Sequence, residues 1–169
     1  LHLIEGNGLD AGRRTLDRLD GGVVLQLLRD SSAYLARQVN ADGSFVYGYH
    51  ACFDRRIETY NGLRHASTTY AMIEAWEVTH DRQLKKAIER ALVYLETHLI
   101  RSVVLPDGLP AAFLVEADGE IKLGGNAVAI LAFTKYMAVT GQMERSGLAE
   151  RLACGIRHMQ NPETGAFVH

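Results

Sequence analysis

Two stretches of this sequence end an amphipathic segment in the same way, and this repeat limits what the chain can fold into. Residues 38–45 and 160–167 each read Gln, four residues, Gly, any residue, Phe. A related turn at 105–109 lacks the Gln and the Phe. Regular punctuation of helices is typical of solenoids and toroids of helical hairpins. We therefore expect Phe45 and Phe167 each to fold back onto their own helical hairpin, with Gly43 and Gly165 permitting the turns.

Composition excludes several classes of function. The chain has 169 residues, the size of about one domain, and a net charge of −2. That charge gives no electrostatic reason to expect nucleic acid or a membrane surface as partner, and we predict neither. The longest apolar run, 127–133, is far short of the roughly 20 residues of a membrane span.

The two cysteines, Cys52 and Cys154, are too few for a disulfide framework and lack metal-ligand spacing. They favour a cytoplasmic protein, with an exported parent protein as the alternative. We expect no metal and no cofactor, because no phosphate loop, dinucleotide fingerprint or histidine ligand pair is present. The repeat stops at the end of the chain where another helix should follow, so we interpret the sequence as a piece of a larger protein.

Hydrophobic periodicity predicts five helices after an irregular lead-in at 1–19. The predicted helices are 20–39, 61–79, 82–100, 125–140 and 144–160. The first has Asp20 as its N-cap and an apolar stripe that begins at Val24 and includes Tyr34. The short connection after residue 79 makes the second and third helices antiparallel neighbours.

The helices alternate in polarity along the chain. The first, third and fifth have one polar face, and we expect Lys85, Glu89 and Glu96 to be exposed. The second and fourth are broadly apolar, and we expect 127–133 to be buried almost completely. This alternation predicts an all-α fold of antiparallel hairpins in an incomplete α/α toroid, spanning 20–169 with about two and a half hairpins. One small β-hairpin is expected in a long loop, around Asp118 and Gly119.

The chain resembles the six-hairpin toroids of glycoside hydrolases, unsaturated-uronide hydrolases and sugar epimerases. The resemblance rests on the inner-helix openings at 60–66 and 123–127, and residues 60–63 with the turn at 79–81 are similar to the C-terminal toroid of glucuronyl C5-epimerases. The Gln-Gly-Phe signature also resembles the repeat of terpenoid-cyclase toroids. The resemblance covers about 20 to the end, roughly half the helices of a complete toroid. No catalytic motif of these families matches residue by residue, and the aspartate-rich motif of terpenoid cyclases is absent.

In such a toroid the long loops and the inner-helix N-termini meet at one mouth. Candidate substrate-binding residues there are Tyr47, Tyr49, Tyr60, Arg64 and Asn126. Tyrosine rings offer flat faces for sugars, and an arginine fork suits a carboxylate. Unpaired N–H groups at the helix starts would favour an anionic group as well.

Candidate catalytic residues at the same mouth are Glu58, His65 and Glu116. A glycosidase needs two carboxylates about 5 to 9.5 Å apart, and Glu58 with Glu116 is the pair that could supply them. An epimerase would instead need a base and an acid on opposite ring faces.

Each candidate also has a structural interpretation. Arg64 could pair with Asp54 or Glu58, and His65 could be a hydrogen-bonded core residue. Asn126 stands where an N-cap is needed. Tyr47 and Tyr49 could simply pack the loop.

We therefore expect a carbohydrate-active domain that hydrolyses or epimerises a glycan containing uronic acid. The alternative is a non-catalytic glycan-binding or scaffolding module of a larger polysaccharide-handling protein, and a third option is an isoprenoid-handling toroid. Two carboxylates at the mouth would favour the enzyme, whereas a mouth of aromatics and amides would favour the binder. Unfilled apolar surface on the inner helices predicts homo-oligomerisation.

Overall fold

The computed structural model of the chain describes residues 17–167. It is mostly helical, as the sequence predicts, and the predicted lead-in at 1–19 lies largely outside the described residues. The helices are α1 Gly21–Gln38, α2 Gly62–Thr79, α3 Arg82–Tyr94, α4 Leu123–Thr140 and α5 Ser146–His158. The strands are β1 Tyr49–His50, β2 Arg55–Arg56, β3 Ile100–Val104 and β4 Pro110–Leu114.

Side-chain caps start the first three helices at the residues where short polar side chains precede the apolar pattern. Asp20 accepts a hydrogen bond from the N–H of Val23, Asn61 accepts one from Arg64, and Asp81 accepts one from Leu84. Each cap satisfies an N–H that has no partner within its helix. The third helix is shorter than predicted, because it changes to a π-helical turn at Leu95–Leu99 before β3 begins.

The β-hairpin lies earlier in the chain than the sequence indicates. β3 and β4 pair antiparallel, with Ile100 opposite Leu114. The turn expected at Asp118 and Gly119 does form, but no pair of strands flanks it among the described residues, so the expected hairpin was wrong in position. The predicted second strand, 120–123, runs into α4, which begins at Leu123. β4 is instead covered by α5, so closely that a Cβ on Gly155 would lie 2.5 Å from the carbonyl oxygen of Ala112. A second short hairpin, β1 with β2, occupies the loop at 42–58, where no regular structure was expected.

One turn geometry recurs along the chain. After α1, the N–H of Asn40 donates to Ser44 O at 2.8 Å and the N–H of Gly43 donates to Asn40 O at 3.1 Å. The same pair of bonds closes the turns at 105–109 and 116–120. In each, an αL glycine allows the tight three-residue loop. The predicted repeat is therefore a repeated turn.

The turn after α5 is one residue longer. There the N–H of Gly165 donates to Asn161 O at 2.8 Å, which aligns Asn161 with Asn40. Phe45 and Phe167 each form a bridge back to the end of the preceding helix, to Val39 and Gln160 respectively. The backbone therefore turns back at both positions, and the ring of Phe45 packs edge-on against His65 of α2.

Helices α2 and α4 form the centre and run parallel to each other. A Cβ on Gly125, in the first turns of α4, would lie 3.8 Å from that of Leu63 in the first turn of α2. Towards the other end, Lys135 of α4 pairs with Glu77 of α2 at 2.6 Å. Helices α1 and α3 pack on α2, and α5 packs on α4.

Burial differs from the prediction on two helices. In α4, Ala129 and Phe133 are fully buried, but Leu131 is 49% exposed because no described element covers that side. On α1, Val24 and Tyr34 of the predicted stripe are about half exposed, and Ser32 on the adjacent face is the buried residue. The expected homo-oligomer stays a prediction that this uncovered surface motivates.

The predicted polar face of α3 is only partly exposed. Glu96 lies in solvent as expected, whereas Lys85 and Glu89 are half-buried. Glu89 is held there because its carboxylate accepts a hydrogen bond from the hydroxyl of the buried Tyr136 at 3.2 Å. Across 17–167, the helices are all too short or too polar to span a bilayer.

Candidate functional site

A cavity of about 360 Å³ lies between the C-terminal half of α1, the loop at 45–49 and the first turns of α2. It brings together five of the eight predicted site residues. Its wall consists of Tyr34, Leu35, Gln38, Phe45, Val46, Tyr47, Gly48, Tyr49, Tyr60, Asn61, Arg64, His65 and Thr68. The predicted residues Glu58, Glu116 and Asn126 are not part of this wall.

A chain of hydrogen bonds fixes the loop against α2 and α3. The N–H of Phe45 donates to the hydroxyl of Tyr60 at 2.9 Å, and that hydroxyl lies 2.7 Å from Nδ1 of His65. Nε2 of His65 lies 2.8 Å from the carbonyl oxygen of Ala91. A carbonyl oxygen can only accept, so Nε2 carries the hydrogen, Nδ1 accepts, and the Tyr60 hydroxyl donates. His65 thus connects the loop to α3.

This environment keeps His65 neutral. Its side chain is almost fully buried, and burial lowers its pKa to about 4 despite the hydrogen bond to Ala91. Burial also raises the pKa of Tyr60 to about 12. Both nitrogens of His65 are engaged within the protein, which matches the structural interpretation of this residue. His65 therefore has no free ring nitrogen with which to exchange a proton with a ligand.

Arg64 supplies a positive charge at the cavity. Its guanidinium lies 5.1 Å from the ring centroid of Tyr47, a cation–π contact. Tyr47 in turn lies 6.1 Å from Tyr60, centroid to centroid. Within residues 17–167, Arg64 forms no ion pair with Asp54 or Glu58, so the pairing considered from the sequence is not found.

Glu116 caps α2 from another part of the chain. Its Oε2 accepts a hydrogen bond from the N–H of Gly62 at 2.7 Å, and Oε1 lies 3.4 Å from that of Leu63. Asn61 accepts from the next N–H, that of Arg64, at 2.8 Å. The first three N–H groups of α2 are therefore satisfied by protein atoms. The expectation that they would be free for an anionic ligand was wrong for this helix.

The other two candidates lie apart from the cavity wall. Glu58 is exposed in the chain before α2. Asn126 is completely buried, and its Oδ1 accepts from the N–H of Leu114 at 2.7 Å while Nδ2 donates to Lys122 O at 2.9 Å. Because α4 begins at Leu123, Asn126 is not the N-cap that the sequence suggested. It joins the end of β4 to the helix.

Sequence reasoning did not assign Tyr34, Gln38 and Phe45 to the cavity. Tyr34 and Gln38 are four residues apart on α1 and so share a helix face, which is the local signal that could have found them. No group of three or more His, Cys, Asp or Glu side chains within residues 17–167 could hold a metal ion.

Comparison of the chain with protein-family models, with curated proteins and with solved structures gave no match.

Proposed function

We propose that this chain is a segment of an α/α toroid that binds an acidic carbohydrate without transforming it. One observation carries the proposal. Four tyrosines and an arginine line the cavity, and none of the residues in its described wall is a carboxylate. A mouth lined by aromatic and amide side chains is the feature that favours a binding module over an enzyme.

The toroid assignment is supported by the direction of the helices. In an α/α toroid the inner helices run parallel, and each is joined to an antiparallel outer helix. The parallel pair α2 and α4, with α3 joined to α2 by a short turn and α5 joined to α4 by another, fits that arrangement. The cavity then lies at the N-terminal end of α2, where the mouth is expected.

The chemistry of the wall suits a sugar acid. Tyrosine rings cover the apolar faces of sugar rings, and the hydroxyls of Tyr47 and Tyr49 can bond to ring substituents. The side chain of Arg64 forms no hydrogen bond within residues 17–167, so among these residues nothing competes with a ligand for its five N–H groups. A planar fork of this kind binds a carboxylate with two parallel hydrogen bonds.

The enzymatic alternatives have less support. Hydrolysis requires two carboxylates on either side of the scissile bond, and Glu116 is already bonded to the N–H groups of α2. Epimerisation requires a free base, whereas both nitrogens of His65 are bonded within the protein. An isoprenoid site would require an acidic cluster facing the cavity, and its described wall has none.

The test is a calorimetric comparison of Arg64→Ala with the control Arg82→Ala. Arg82 is an exposed arginine in the first turn of α3 and is absent from the cavity wall. The ligands are a trisaccharide of uronic acids and the neutral trisaccharide of the parent hexose. Because only the acidic ligand forms the charge-assisted contact, Arg64→Ala should weaken its binding about tenfold or more.

Arg82→Ala should bind both ligands like the unmodified chain. Equal losses of both ligands in Arg64→Ala would reject the preference for acidic sugars. If neither trisaccharide binds to the folded, unmodified chain, the carbohydrate proposal itself is rejected. Turnover of the acidic ligand by the unmodified chain would restore the enzymatic reading.

A further inference from the structure

Two tyrosines of the cavity wall, Tyr47 and Tyr49, each have an arginine over the ring. The guanidinium of Arg64 lies over Tyr47, and that of Arg56 lies 5.8 Å from the ring centroid of Tyr49. Tyr47 and Tyr49 both line the cavity and are two residues apart. Arg56 was not among the predicted site residues.

The β1–β2 hairpin holds Arg56 beside Tyr49. The two residues are paired across the strands, and Nε of Arg56 donates to the Tyr49 hydroxyl at 3.0 Å. Cross-strand partners lie on the same face of a hairpin, so this placement follows from the register. The neighbouring Arg55 pairs with His50 and therefore lies on the opposite face.

Both guanidinium groups have unused donors. One N–H of Arg56 donates to the Tyr49 hydroxyl, and the Arg56 side chain forms no other hydrogen bond or ion pair within residues 17–167. Among the described residues, four of its five N–H groups therefore have no protein partner, including those on the two terminal nitrogens that suit a carboxylate. Arg56 and Arg64 form no ion pair within residues 17–167, so a ligand with two negative charges would gain an attractive contact at each guanidinium.

We propose that Arg56 is a second anion-binding residue, so that the ligand is an acidic glycan with carboxylates on neighbouring sugar units. This rests on the proposed carbohydrate function and narrows its ligand class. Arg64 binds one carboxylate at the cavity wall. Arg56, positioned by the Tyr49 hydroxyl, binds the carboxylate of the adjoining unit, and the tyrosine rings cover the sugars between them.

The test measures the affinity of the full chain for a monouronate, a diuronate and the neutral disaccharide at low ionic strength. The variants are Arg56→Ala and Tyr49→Phe, with Arg55→Ala as the matched control one residue away on the opposite face. The diuronate should bind the unmodified chain at least about tenfold more tightly than the monouronate. Arg56→Ala should remove that advantage and leave monouronate affinity unchanged.

Tyr49→Phe keeps the ring and removes the hydroxyl that holds Arg56, so it should reduce the diuronate advantage by a smaller factor. Arg55→Ala should retain the advantage in full. The second subsite is overturned if Arg56→Ala and Arg55→Ala behave alike, or if the diuronate binds no more tightly than the monouronate. Failure of all three sugars to bind the unmodified chain would instead overturn the carbohydrate function on which the subsite depends.

Discussion

The carboxylate of Glu116 accepts a hydrogen bond from the N–H of Gly62 at 2.7 Å, across 54 residues of sequence. The contact ties the connection before α4 to the start of α2, the helix that carries Arg64. Gly62 permits it, because a Cβ there would lie 2.6 Å from Cδ2 of Leu114. An acidic group at this end also interacts favourably with the positive end of the helix dipole.

Replacing Glu116 should therefore destabilise the fold. Glu116→Ala removes a buried charged acceptor and leaves two N–H groups of α2 without a partner, which should cost about 2 kcal/mol. The matched control is Glu120→Ala in the same turn, where the side chain is exposed and pairs with Lys122. That change should cost under about 0.5 kcal/mol. Urea unfolding measures the free energy of unfolding of both variants. If Glu116→Ala loses no more than Glu120→Ala, the contact contributes nothing to stability.

The buried His65 should make stability depend on pH. Its pKa falls from 6.5 to about 4 on folding, so the unfolded chain binds more protons between those values. Stability contributed by neutral His65 is fully present above about pH 6.5 and is lost as the pH falls towards 4. The shift corresponds to a loss of about 3 kcal/mol.

Urea unfolding at several pH values between 7 and 4 checks this dependence. His65→Gln should be less stable at neutral pH but should lack the loss contributed by this residue. The control His158→Gln, at an exposed position in α5, should keep the pH dependence of the unmodified chain. If the free energy of unfolding changes with pH identically in the unmodified chain and both variants, the assignment of a neutral His65 is contradicted.

Alanine substitutions at two glycines with the same turn conformation distinguish the cost of backbone strain from the cost of steric crowding. Gly43 has φ of 93° and Gly108 has φ of 84°. A Cβ at Gly43 would clash with the backbone carbonyl of Arg90, whereas a Cβ at Gly108 would meet nothing within 4 Å. Gly108→Ala should cost about 1–2 kcal/mol from left-handed strain alone.

Gly43→Ala should cost at least about 2 kcal/mol more, because α1 and α3 must move apart to admit the methyl group. Thermal or urea unfolding of the two variants gives the comparison. Similar losses would show that the turn after α1 can shift away from α3 freely.

The two signature phenylalanines should differ in their contribution to stability. Phe45 is half-buried and its ring lies edge-on to His65 at 5.0 Å, whereas Phe167 is 39% exposed at the end of the described chain. Phe45→Ala should cost about 2 kcal/mol, less than the roughly 3–5 kcal/mol of a fully buried ring. Phe167→Ala should cost under about 1 kcal/mol. A larger loss at Phe167 than at Phe45 would contradict the burial pattern.

Features set by local chemistry could be predicted from the sequence. The starts of α1 and α2 follow from Asp20 and Asn61, whose side chains bond to N–H groups three residues away. The fold-back of Phe45 follows from the glycine two residues before it. These interactions lie within a few residues, so sequence spacing carries them.

Features set by distant contacts could not be predicted. The turn at 105–109 joins β3 to β4 and could be seen in the sequence, but the packing of α5 on β4 is a contact between distant parts of the chain. Glu116 and Asn126 have the residue types of a site, but their partners are backbone groups of other elements. Tyr47, Tyr60 and Arg64 line one cavity because the loop at 45–49 folds back to α2, and the resemblance to toroids did predict that these residues meet.

Chemical-shift mapping by NMR tests the central claim of an acidic-glycan site most directly. The full chain, isotopically labelled, is titrated with a triuronate and with the neutral trisaccharide. We expect the triuronate to shift the amide signals of residues 45–49 and Arg64, and to leave those of the separate surface around Leu105 and Arg157 unchanged. The neutral sugar should produce smaller shifts at the same amides. Shifts confined to other regions, or none at saturating triuronate, would contradict the account.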